Sequence, residues 1–143
     1  MKRIRILVAD DNEKLATALL IQLQKFGLEA VACPDAYLAL AQARIFKPDV
    51  VLLDIRMPAG DGFSVMERMR KIPELENVPV IYMTGEKSEE MELKAQRMGA
   101  RGVIHKPIRL SELMGTIDSV MGTGCQPLDE EGRPFFSEVR GKA

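Results

Sequence analysis

The chain has 143 residues, 46% hydrophobic and 29% charged, which suits one globular domain with one substantial core. Its 20 lysines and arginines against 21 acids leave a formal net charge of −1, so no global field draws in a polyanion, and direct nucleic-acid binding is not expected of this domain. There is no apolar leader after Met1 and no uninterrupted apolar run of about eighteen residues, so a soluble, cytoplasmic protein with no membrane partner is expected.

Residues 4–9 form a nearly continuous apolar run ending in Asp10 and Asp11, the pattern of a strand buried on both faces of a parallel sheet. Over 13–26, Leu15, Ala18, Leu19, Leu23 and Phe26 recur at helical spacing and Gly27 follows as a stop. A second strand is predicted at 28–33, and Asp35 after Pro34 caps a helix running to about Phe46. The third strand, 49–53, again ends in acid at Asp54. Pro58, Gly60 and Gly62 then mark a loop before a helix at 63–71, closed by Pro73. A fourth strand at 78–83, a charged helix at 86–98 ended by Gly99, a short strand at 102–105 and a helix at 110–121 complete the pattern. Five strands alternating with five helices imply right-handed crossovers and a doubly wound α/β fold with a parallel sheet. Beyond Met121 the breakers Gly122, Gly124, Pro127, Gly132, Pro134 and Gly141 end the periodicity. The expected division is therefore a domain at 1–121 and a flexible tail or linker at 122–143.

Ligands of open parallel sheets gather at the carboxyl ends of the strands. Here those ends carry Asp10 and Asp11, Asp54, Thr84 and Lys106, each just past an apolar run. Three carboxylates on one edge repel one another unless a cation offsets them, and oxygen donors suit a hard divalent ion, Mg²⁺ being the natural candidate. Lys106 supplies a positive charge and Thr84 a hydroxyl donor, both fitted to hold a phosphoryl group. Asp54 stands alone at its strand end and is the expected nucleophile, whereas Asp10 and Asp11 are paired as metal ligands would be. Taken singly, each residue has a plainer reading. Asp11 or Asn12 would cap the first helix, Thr84 the fourth, and Lys106 would be a surface charge. Their joint occurrence at four strand ends favours the site.

The acidic pair Asp10-Asp11, the run Asp54-Ile55-Arg56-Met57-Pro58 with Gly60-Asp61-Gly62, Thr84-Gly85, and Gly99-Ala100-Arg101-Gly102 leading to Lys106-Pro107 resemble the receiver domain of bacterial two-component response regulators, the CheY-like family. The resemblance covers roughly residues 3–121. It implies a flavodoxin-like sheet of order 2-1-3-4-5, and phosphorylation of Asp54 by the phosphohistidine of a sensor histidine kinase or a phosphotransfer protein. It also implies Mg²⁺ held by Asp11, Asp54 and the backbone carbonyl of Arg56, with Asp10 helping through water. Thr84 and Lys106 would bind the phosphoryl oxygens, and the Lys106-Pro107 peptide would be cis. The family is a phosphoacceptor signalling domain that assists its own phosphorylation and dephosphorylation rather than a turnover enzyme. Phosphorylation would draw Thr84 inward and shift the face of helix four, strand five and helix five toward a downstream protein, an output domain or a second copy.

Three features depart from that pattern. Val103 stands where the family usually has an aromatic switch, and Tyr82, the nearest tyrosine, reads as a core residue. Arg56, two residues after the acceptor, either reaches over the site or points to solvent. The tail, with Phe135-Phe136, is too short and too rich in breakers for an output domain. His105, the only histidine, reads as a strand residue decorating a face, and Met66, Met69, Met83, Met91 and Met98 as core filler. Cys33 and Cys125, with no C-x-x-C spacing, read as reduced thiols. Two rival readings stay beside the phosphorylatable receiver. One is a degenerate receiver that binds partners without phosphorylation. The other is an aspartyl-phosphate phosphatase or phosphotransferase, whose D-x-D spacing Asp10-Asp11-Asn12 does not supply.

Overall fold

The computed structural model describes residues 3–57 and 61–121. The elements follow in strict alternation: β1 (Arg5–Ala9), α1 (Glu13–Lys25), β2 (Glu29–Cys33), α2 (Ala36–Phe46), β3 (Val50–Asp54), α3 (Gly62–Met69), β4 (Val80–Thr84), α4 (Glu89–Arg97), β5 (Gly102–His105) and α5 (Leu110–Met121). The strands are all parallel in the order β2-β1-β3-β4-β5, as the resemblance implies. The Lys106-Pro107 peptide is cis, also as expected. Cys125 and the tail at 122–143 lie outside the described residues, as do Pro58 and Gly60.

Both faces of the sheet are buried, and the side-chain alternation of each strand divides the core in two. Ile6, Val8, Leu52, Ile81, Met83 and Ile104 pack under α1 and α5, meeting Leu19, Leu23, Leu113 and Ile117. Leu7, Ala9, Val51, Leu53, Val80 and Tyr82 face α2, α3 and α4 and meet Ala39, Ala43, Val65, Met66, Met69 and Ala95. The methionines are filler as predicted: Met66, Met69 and Met83 are fully buried, while Met91 and Met98 pack half-buried against the second core. Cys33 is a buried free thiol, and burial, with the nearby Asp35 charge, pushes it up to about 11.

Local chemistry sets the element ends. Asn12, Asp35, Asp61 and Ser88 cap α1 to α4 by accepting from the backbone N–H of Leu15, Leu38, Ser64 and Met91. Gly27 and Gly99 end α1 and α4 with φ of 82° and 92°, a left-handed turn that glycine adopts freely. Several boundaries shift by one to three residues from the sequence reading, β4 among them at Val80–Thr84 rather than 78–83, and three of the shifts have a local cause. β3 begins at Val50 because the Asp49 carboxylate turns aside to accept the Arg5 N–H at 2.8 Å. α3 stops at Met69, short of Lys71, and Arg70 Nη1 pins the following loop by donating to the carbonyls of Glu76 and Val78. α4 begins at Glu89 rather than Glu86, because Thr84 Oγ1 accepts the Glu86 N–H at 3.1 Å and folds residues 84–86 into a turn. Glu89, Glu90 and Glu92 then occupy the helix's first turn, where the macrodipole favours acids.

Candidate functional site

β1, β3, β4 and β5 end at one edge of the sheet and deliver the site. Asp10 follows β1 almost wholly buried, its Oδ1 accepting the Asn12 N–H at 2.9 Å, which turns the carboxylate inward. Asp54 closes β3 at 6% exposure, its Oδ1 accepting the Arg56 N–H at 3.3 Å. Lys106 follows β5 and donates its backbone N–H to the Thr84 carbonyl at 2.8 Å. Its Nζ then lies 2.9 Å from Asp10 Oδ2 and 3.1 Å from Asp54 Oδ2. Asp11 stays exposed at the rim, yet Asp10, Asp11 and Asp54 each offer an oxygen within 4.8 Å of the others.

The electrostatics follow from that crowding. Burial raises the Asp54 pKa and the Asp10 charge adds to it, while Lys106 and the Arg56 N–H work the other way without cancelling the rise. Burial alone would lower Lys106, but its hydrogen bond to Asp10 and the charges of Asp10 and Asp54 outweigh this, so its ammonium is held above the ordinary lysine value. Three carboxylates against one ammonium leave an excess of negative charge on converging oxygens. That donor set fits a hard divalent cation such as Mg²⁺, which takes carboxylate oxygens and retains waters.

Thr84 closes β4, buried beside this cluster. Its hydroxyl donates to Met91 Sδ at 3.9 Å and accepts from Glu86 N, so its polar contacts are with the loop and α4. Arg56 enters the cluster through its backbone N–H. Its guanidinium pairs with Glu86, and the two line a groove of about 610 Å³ shared with Phe63, Met91 and Lys94. The sequence reading placed Glu86 only as the start of the charged helix, not beside the site. The signal was present: Arg56 and Glu86 each lie two residues past the ends of neighbouring strands. His105 is half-buried rather than merely decorative, its Nε2 2.9 Å from Glu92 Oε1. Tyr82 is the core residue expected, fully buried, with its hydroxyl donating to Met66 Sδ at 3.1 Å and to the Gly62 carbonyl at 3.4 Å. Its ring meets Phe63 edge-on at 5.0 Å.

Gly62 fixes how closely α3 approaches β3. A Cβ there would lie 2.6 Å from the Asp54 carbonyl oxygen and 3.2 Å from the Tyr82 ring. Neither the strand backbone nor a buried ring yields cheaply, so Gly62→Ala is expected to destabilise the fold by about 1–3 kcal/mol. Urea unfolding checks this; an unchanged midpoint would mean that α3 is free to shift.

Residues 6–118 match the sequence profile of the response regulator receiver domain. Protein PilH of Pseudomonas aeruginosa is 35% identical over 117 residues, covering 82% of this chain and 97% of that protein. Sensory transduction protein RegX3 of Mycobacterium tuberculosis is 34% identical over 119 residues, 83% of this chain but 51% of that protein. The chain thus spans nearly all of the first relative and about half of the second. Among solved structures, the chemotaxis protein CheY4 of Vibrio cholerae aligns with a TM-score of 0.79 at 28% identity, over 83% of this chain and 99% of that one. The BeF3-activated receiver domain of Klebsiella pneumoniae RstA aligns with a TM-score of 0.76 at 25% identity, over 82% and 97%.

Proposed function

Since this chain belongs to the response regulator receiver domain family, and so to two-component signalling, we propose that Asp54 accepts a phosphoryl group from a phosphohistidine in a Mg²⁺-dependent reaction. The observation that carries the reading is the Lys106 ammonium bridging the buried carboxylates of Asp10 and Asp54, with Asp11 at the rim completing three converging oxygens.

In this reading one Asp54 carboxylate oxygen attacks phosphorus in line. The new P–O bond forms as the P–N bond to the donor imidazole breaks, and the electron pair leaves with the imidazole. Asp11, Asp54 and the Arg56 backbone carbonyl would hold the Mg²⁺, with Asp10 helping through water, and the ion would supply neutralisation of charge on the acceptor and phosphoryl oxygens. Lys106 already sits on Asp54 Oδ2 and would follow the charge onto the phosphoryl group. Thr84 would donate its hydroxyl to a second phosphoryl oxygen after releasing Met91. The donor partner is a sensor histidine kinase or phosphotransfer protein. The receiving partner is a downstream protein, a second copy, or an output domain beyond a linker at 122–143.

Incubation with acetyl phosphate, with and without Mg²⁺, tests this by intact mass. One Mg²⁺-dependent phosphoryl adduct is expected. Its absence under conditions that label a known receiver would overturn the proposal in favour of phosphorylation-independent binding.

In this reading the Arg56 guanidinium, two residues past Asp54 and paired with Glu86, limits the approach of water to the acyl phosphate. Arg56→Ala is expected to speed its loss by roughly threefold to tenfold, equivalent to about 1 kcal/mol of barrier. A decay rate equal to that of the parent would show that the guanidinium has no such role.

A further inference from the structure

We infer that in this chain the state of the acceptor site is passed to α4 through two adjacent contacts, Thr84 with Met91 and His105 with Glu92, rather than through the side chain at position 103. The inference rests on the phosphoacceptor reading and adds its route of regulation.

Thr84 and His105 are register partners on neighbouring strands. Tyr82 and Val103, two residues before each, pack in the second core, so residues 84 and 105 point to the same face, the one α4 covers. Consecutive α4 residues meet them there. The Thr84 hydroxyl donates to Met91 Sδ at 3.9 Å, and His105 Nε2 lies 2.9 Å from Glu92 Oε1. Both strand residues are tied to the acceptor: Thr84 through the Lys106 N–H that its carbonyl accepts, His105 by preceding Lys106 in the chain.

α4 is poorly anchored otherwise. Its one fully buried residue is Ala95, its first turn is acidic, and Leu93 is 50% exposed. A helix with so little apolar burial takes its position from the few contacts it has. Position 103 is ill suited to move it, since valine is a stiff, β-branched residue with no polar atom. A groove of about 360 Å³ remains between Val103 and the α4 residues Glu92 and Gln96.

The switch follows from the chemistry of a hydroxyl. Thr84 has one proton to donate. A phosphoryl oxygen that takes it removes it from Met91, and a Lys106 drawn toward that oxygen carries His105 with it. Both holds on the start of α4 are then released together.

The test uses the full chain treated with acetyl phosphate and Mg²⁺, with intact mass reporting the adduct and amide hydrogen exchange reporting residues 89–97. Phosphorylation is expected to speed exchange there in the parent. Met91→Leu combined with Glu92→Met keeps side-chain length while removing both polar contacts. It is expected to take up the adduct yet lose about half or more of that response, whereas Val103→Ala responds like the parent. A full response in the double variant, or its loss in Val103→Ala, overturns the inference. So does an adduct on the parent with no change in α4. If the parent takes no adduct at all, the acceptor reading itself falls, and this one with it.

Discussion

An Asp54→Asn chain is expected to take up no phosphoryl group from acetyl phosphate, its labelling falling by about 10³-fold or more against the parent in the same Mg²⁺ buffer. An amide oxygen carries no full negative charge and is a poor nucleophile. The neighbouring carboxylates are badly placed to substitute: Asp10 is committed to the Asn12 N–H and to Lys106, and Asp11 is exposed at the rim, where no lysine contact is formed among the described residues. Intact mass decides the matter. An adduct of parental extent on the variant would move the acceptor to Asp10 or Asp11. The same substitution has a signature in stability. The native state binds the Asp54 proton more tightly than the unfolded chain does, because burial and Asp10 raise its pKa. Without Mg²⁺, the parent's stability should therefore fall as pH rises from the ordinary carboxylate value of 3.8 through the raised native value. In Asp54→Asn this part of the slope should disappear.

Lys106→Met in Mg²⁺-free buffer is expected to lower stability by about 3 kcal/mol, or Tm by roughly 10 °C. The substitution preserves the aliphatic length and removes the ammonium from between two buried carboxylates. Asp10 and Asp54 are then left facing each other with no cation, a far larger loss than an exposed pair would suffer. The Lys71–Glu67 pair, at 4.0 Å with both side chains mostly exposed, is the natural comparison. Lys71→Met should cost at most a few tenths of a kcal/mol. Added Mg²⁺ should restore part of the loss in Lys106→Met, and so should lower pH, by protonating one of the two carboxylates. Scanning calorimetry with and without Mg²⁺ measures all of this. A Tm within about 1 °C of the parent would mean that the two acids are already relieved by water.

The sequence reveals the fold because burial on both faces forces each strand into an unbroken apolar run, and each helix carries its own stop. It reveals the strand-end cluster for the same reason, since Asp10, Asp54, Thr84 and Lys106 each interrupt apolarity at a strand end. Strand order is less legible. Alternation fixes parallel crossovers but not the side on which each new strand is added, and the order 2-1-3-4-5 came with the family resemblance. Least visible are Glu86 and Glu92. They look like any solvent-facing acid, and their partners Arg56 and His105 are distant in sequence. The start of α4 was misplaced because Glu86 continues the charged helical pattern. The competing signal was local: the Thr84 hydroxyl takes the Glu86 N–H and hands the cap to Ser88.

The bridge formed by Lys106 has a consequence for the order of events during synthesis. Asp54 and Lys106 are 52 residues apart, and Asp10 is earlier still, so the acids leave the ribosome long before their counter-charge. A growing chain that has emerged only through β3 carries the Asp10 and Asp54 carboxylates without the lysine that bridges them. The strand that positions that lysine, β5, is the last to be made and sits at the edge of the sheet. The bridge across Asp10 and Asp54 is thus incomplete until nearly the whole domain has emerged.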